Sequence, residues 1–78
     1  MDYGKHIVRD PAICGGEAVI KGTRVTVRTV LASLAEGAQA GDILKDFPRL
    51  TEEDVRAVIA FAAASAEEDL SQILIEER

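Results

Sequence analysis

The sequence predicts a small, mainly α domain that opens with a short β-ribbon, of the winged-helix or helix-turn-helix type. Three observations predict it. Short β-branched runs alternate with turn residues over the first 25 positions. From Val27 the apolar spacing changes to that of an amphipathic helix. A helix-start pattern, Thr51-Glu52-Glu53-Asp54, then follows a proline at position 48.

The ribbon is expected over residues 5–27. Ile7-Val8 starts it and Asp10-Pro11 turns it. Ala18-Val19-Ile20 and Arg24-Val25-Thr26-Val27 flank Lys21-Gly22, which predicts a hairpin with Val25 and Val27 facing inward. Two strands alone are marginal in water, so they need a helix or a second copy to lie against. The first helix is expected over about 27–36. Val27, Val30, Leu31, Leu34 and Ala35 form its stripe, with Thr26 as N-cap and Gly37 just past its end. The second, about 40–47, carries Ile43, Leu44 and Phe47 and ends before Pro48. Its start is poorly specified, since Gly41 weakens the first turn. The third is expected over 52–65, with Val55, Val58, Ile59 and Ala62 facing inward and Phe61 at the edge. Residues 66–78 form an acidic amphipathic segment in which Ala66, Leu70, Ile73 and Leu74 keep nearly the same phase; 52–76 reads as one helix or as two broken near Ser65.

Size limits what this fold can do alone. A 78-residue chain buries only about 60% of its unfolded surface. Twelve of its hydrophobic residues are alanine, which adds helix propensity but little core. A single core of this size supplies roughly 3–5 kcal/mol. Cys14 has no cysteine partner, and neither Cys nor His recurs at zinc spacing, so a self-associating chain, homodimer or higher, or a partner protein is expected. No signal-peptide pattern opens the chain, and its longest uncharged run, Ala57 to Ala66, is half a membrane span. A reducing cytoplasm is the expected setting.

Catalysis finds little support. His6 is the only histidine, near a terminus expected to be mobile. Cys14 reads as a small hydrophobe in a turn, and Lys21-Gly22-Thr23 reverses the Gly-Lys-Thr order of a phosphate loop. Glu52, Glu53 and Asp54, and likewise Glu67, Glu68 and Asp69, read as solvated helix faces. A non-enzymatic protein without metal or cofactor is expected.

The run Asp10-Pro11-Ala12-Ile13-Cys14-Gly15-Gly16-Glu17-Ala18-Val19-Ile20-Lys21-Gly22-Thr23-Arg24-Val25-Thr26-Val27 closely resembles the opening of the bacterial domain-of-unknown-function family 433. The resemblance continues through Leu34, Gly37, Ile43-Leu44, Asp46-Phe47-Pro48, Leu50-Thr51, Asp54-Val55 and Phe61-Ala62, covering about residues 7–65. Such proteins are similar to VapB-type antitoxins, which pair with PIN-like ribonuclease toxins on a winged-helix-like fold. The resemblance therefore implies a toxin-neutralising, operator-binding protein. Ala18 and Ala40-Gly41 depart from it, standing where the family commonly has proline and a polar, acidic helix start.

Charge divides the candidate residues into two groups. Residues 1–36 hold five basic and four acidic side chains (5 − 4 = +1), and residues 37–78 hold four and ten (4 − 10 = −6). The basic stripe Lys21, Arg24 and Arg28 is the candidate DNA contact, because cations on phosphate dominate such affinity. For Arg24, pairing with a carboxylate that holds the ribbon to the helices is the stronger reading. The C-terminal segment, with Leu70, Ile73 and Leu74 beside Glu67 and Glu68, is the candidate partner-binding helix. Packing on its own domain or on a second copy stands beside that reading.

Overall fold

The computed structural model describes residues 2–76, with side chains placed as far as Glu68. Strands β1 (Ile7–Arg9) and β2 (Ala18–Ile20) pair antiparallel, with Ile7 opposite Ile20 and Arg9 opposite Ala18. Three helices follow: α1 (Val27–Ala35), α2 (Ala40–Asp46) and α3 (Glu52–Glu76). This is a small helical domain with a two-stranded sheet at its N-terminus.

The ribbon differs from the sequence expectation in its partner. β2 takes β1 as its ladder neighbour, and Arg24–Val27 forms no strand; only a single bridge joins Val19 to Thr26. The physical reason is that Thr26 is already committed as the N-cap of α1. Its hydroxyl accepts from the Thr29 N–H at 3.1 Å, and the next residue is helical. The tight turn between the two segments does form. Gly22 sits at φ 80°, and the Thr23 hydroxyl donates to the Ile20 carbonyl at 2.8 Å and accepts from the Val25 N–H at 3.0 Å. Thus β2 is enclosed on both edges, and all three of its residues are buried.

Each helix end has a local cause. α1 closes with a Schellman motif: the Gly37 N–H reaches the Leu34 carbonyl and the Ala38 N–H the Ser33 carbonyl, both at 3.0 Å, with Gly37 at φ 100°. α2 is better capped than its composition suggests, because the Asp42 carboxylate accepts from the Gln39 N–H at 2.9 Å. α3 carries the reciprocal capping box, with Thr51 N–H to Asp54 carboxylate at 2.9 Å and Asp54 N–H to Thr51 hydroxyl at 3.1 Å. It passes unbroken through Ser65, whose hydroxyl donates back to the Phe61 carbonyl at 3.0 Å.

The core lies where the ribbon, α1 and the first half of α3 meet. Ile20, Val27, Val30, Ile43, Leu50, Val55 and Val58 fill it, and each such fully buried side chain contributes roughly 1.5–3 kcal/mol of transfer free energy. Ile59 does not join them. Expected to face inward beside Val58, it is 49% exposed, because it lies about 100° round the helix from Val58, beyond the edge of the buried face that Ala57, Val58 and Phe61 centre. Among residues whose side chains are described, Val58 is the last buried one, yet α3 runs on to Glu76. The surface of 5610 Å² exceeds the roughly 4,600 Å² expected for a compact chain of this mass, and the longest extent is 46 Å.

Candidate functional site

The N-terminus is pinned rather than free. His6, expected near a mobile end, places its Nδ1 at 2.9 Å from the Asp54 carboxylate, 48 positions away. Tyr3 packs edge-on against Phe61, with ring centroids 5.6 Å apart and planes at 87°. Asp54 therefore serves two ends of the chain: one oxygen caps α3 and the other holds β1. Burial alone would raise its proton affinity. The Thr51 backbone N–H, the His6 ring, the Thr51 hydroxyl and the charge of His6 together outweigh burial, so the carboxyl titrates below its ordinary value of 3.8. The pair ties the N-terminal segment to the start of α3.

The basic stripe does not act as one surface. Lys21 is exposed on the turn after β2. Arg24 lines a cleft of about 460 Å³ between that turn and the α2–α3 connection, where Arg49 joins it over Phe47, Pro48 and Leu50. Arg28 points into a different cleft, of about 500 Å³, lined by Arg9, Leu31, Ala35 and Phe61. The carboxylate contact expected of Arg24 belongs to Arg28, which pairs with Glu17 at the surface. The reason is helical geometry: the first turn of α1 carries Arg28 to the residue that enters β2, while the Arg24 carbonyl, not its guanidinium, is what the loop uses. The Cys14 thiol donates to that carbonyl at 3.4 Å. Arg9, which the sequence offers with Lys5 as an extension of the basic stripe, joins Arg28 in its cleft, whereas Arg49 beside Arg24 has no signal in the sequence, since only the pairing of distant segments brings it there.

On the acidic side, Glu67 and Glu68 are exposed on the part of α3 that continues past the core. The side chains of Leu70, Ile73 and Leu74, the other partner-binding candidates, lie outside the described residues. Among the described residues no three His, Cys, Asp or Glu side chains gather as metal ligands, and no helix is long and apolar enough to cross a membrane.

Known proteins resemble this chain in sequence and in fold. A protein from Sinorhizobium fredii (strain NBRC 101917 / NGR234), named "Uncharacterized protein y4eO", is 37% identical over 59 residues, which is 76% of this chain and 27% of that protein. The chain thus spans about a quarter of that relative's length. The crystal structure of a DUF433 member protein from Anabaena variabilis superposes with a TM-score of 0.74 at 33% identity, covering 88% of this chain and 68% of that one. The family described as "Protein of unknown function (DUF433)" matches residues 7–62, most of the folded head with its ribbon and all three helix starts. By sequence and by fold, this chain belongs to the DUF433 family.

Proposed function

We propose that the protein is a non-catalytic antitoxin that acts in the cytoplasm, binding a PIN-like ribonuclease through the distal half of α3. The observation that supports this reading is the division of that helix. Its first two turns supply the core residues Val55, Ala57 and Val58, and its continuation carries exposed Glu67 and Glu68 away from the head. A helix of acidic and apolar residues suits a groove on a partner, and carboxylates suit the basic cleft of an enzyme that binds RNA phosphates. Co-expression of the full chain with the product of the adjacent open reading frame tests it. A stable complex is expected, with relief of toxicity that Glu67→Lys/Glu68→Lys abolishes; a chain that purifies alone and gives no relief refutes the reading.

A second reading, operator binding, draws on the cleft that Arg24 shares with Arg49 beside Lys21. It expects promoter DNA to be bound with an affinity that falls steeply with salt. Arg24→Ala/Arg49→Ala should lower both the affinity and the salt slope. Binding that is absent at low salt excludes it.

A further inference from the structure

The apolar residues of α3 fall on two faces. Val55, Ala57 and Val58 are buried and Phe61 packs against them, whereas Ile59 is the one large apolar side chain exposed to solvent among the described residues. Ala63 and Ala66 follow Ile59 and are exposed as well. In the sequence the series continues as Ile59, Ala63, Ala66, Leu70, Ile73, with steps of four, three, four and three residues. Steps that alternate in this way average 3.5 residues, the spacing of a seam between two helices that coil round each other. At 1.5 Å per residue, the seam is about 21 Å long.

We propose that this seam is covered by α3 of a second copy, packed antiparallel about a two-fold axis. The chain cannot cover it alone, because α3 is one continuous helix and its distal half cannot fold back onto Ile59. In the antiparallel register Ile59 meets Leu70 of the second copy and Ala63 meets its Ala66. The alanines then lie at the axis, where they let the helices approach closely, and the large residues flank them on both sides. The arrangement is isologous, as a two-fold pair requires.

Charge selects the direction. Residues 1–56 hold eight basic and nine acidic side chains (8 − 9 = −1), and residues 57–78 hold one and five (1 − 5 = −4). A parallel pair would set the two acidic tails side by side. The antiparallel pair instead lays each tail along the other copy's head, where exposed Arg49 and Arg56 offset Glu52 and Glu53. It also opposes the two helix dipoles. The seam shares Leu70 and Ile73 with the toxin-binding reading, so a toxin would compete with the second copy, and the purified chain by itself tests the seam apart from that reading.

Sedimentation equilibrium of the full chain at micromolar concentration, with no other protein present, tests it. A dimer is expected, and Ile59→Glu should weaken it by about tenfold or more while leaving the far-ultraviolet circular dichroism of the head unchanged. Ala63→Lys, also at an exposed position, serves as a second disruptive variant. Direction is read by cross-linking in a Cys14→Ser background: Ala63→Cys mixed with Ala66→Cys should form disulfide dimers several-fold faster than either variant alone. A monomer overturns the proposal and leaves the seam to a protein of another sequence. A dimer indifferent to Ile59→Glu and Ala63→Lys, or one in which Ala63→Cys cross-links to itself as fast as the mixture, overturns it equally.

Discussion

Asp54 joins two distant parts of the chain through one side chain. It caps α3 through Thr51 and holds β1 through His6, each at 2.9 Å. Replacing it with alanine should cost about 1–2 kcal/mol from the lost cap alone, measured as a shift in the denaturation midpoint. Asp54→Asn separates cap from charge, because the amide can still accept from the backbone. Its pH behaviour has a definite sign. The folded carboxyl titrates below 3.8, so on acidification the unfolded chain takes up the proton first. The stabilisation is complete above that ordinary value and vanishes as pH falls through the lower folded-state value. Asp54→Asn should therefore flatten the acid limb of the stability profile below about pH 4. Of this site, the cap was legible in the sequence, since Thr51 and Asp54 are three residues apart. The tie to His6 was not, because no local pattern relates residues 48 positions apart.

At the scale of elements, the legible features were those whose cause is local. The Thr26 cap, the Gly37 stop and the Pro48 break each act within a few residues, and the helices begin and end where these residues require. What escaped was the choice among partners. Ala18–Ile20 could have paired forward or backward, and Thr26 decided it by turning its hydroxyl to α1 instead of extending a strand. The phase of α3 was misread for a related reason: Val58 and Ile59 are adjacent and equally apolar, and only the position of α1 determines which is covered. Two substitutions probe this scale. Gly37→Ala should cost about 1–2 kcal/mol by forcing a side-chain-bearing residue to keep φ near 100°; nothing else crowds that position. Ile43→Ala, at a fully buried position in α2, should cost about 2–5 kcal/mol. That is comparable to the whole stability expected of a core this small, so the variant should be largely unfolded by calorimetry.

For the whole molecule, the sequence predicts a domain with little core, and the structure shows a compact head with a helix that outruns it. A chain ending after Ser65 should keep the head's helical signal and its cooperative melt, since every fully buried side chain described lies at or before Val58; loss of cooperativity would mean that the tail supports the head. The exclusion of Arg28 from the Arg24 cleft could not have been foreseen from a charge count, which records sign but not direction. The His6–Asp54 contact also bears on the order of assembly. α1, α2 and the β1–β2 pair are made from neighbours in sequence, but the side chains of Tyr3 and His6 are fastened only after α3 is in place, a closure over most of the head. In hydrogen exchange, Tyr3–His6 should accordingly open before the β1–β2 ladder, with α1 among the last. A nascent chain would thus hold Tyr3 and His6 unclaimed until the third helix has formed, and for that interval the aromatic ring beside β1 is the surface that a chaperone, or another nascent copy, would encounter.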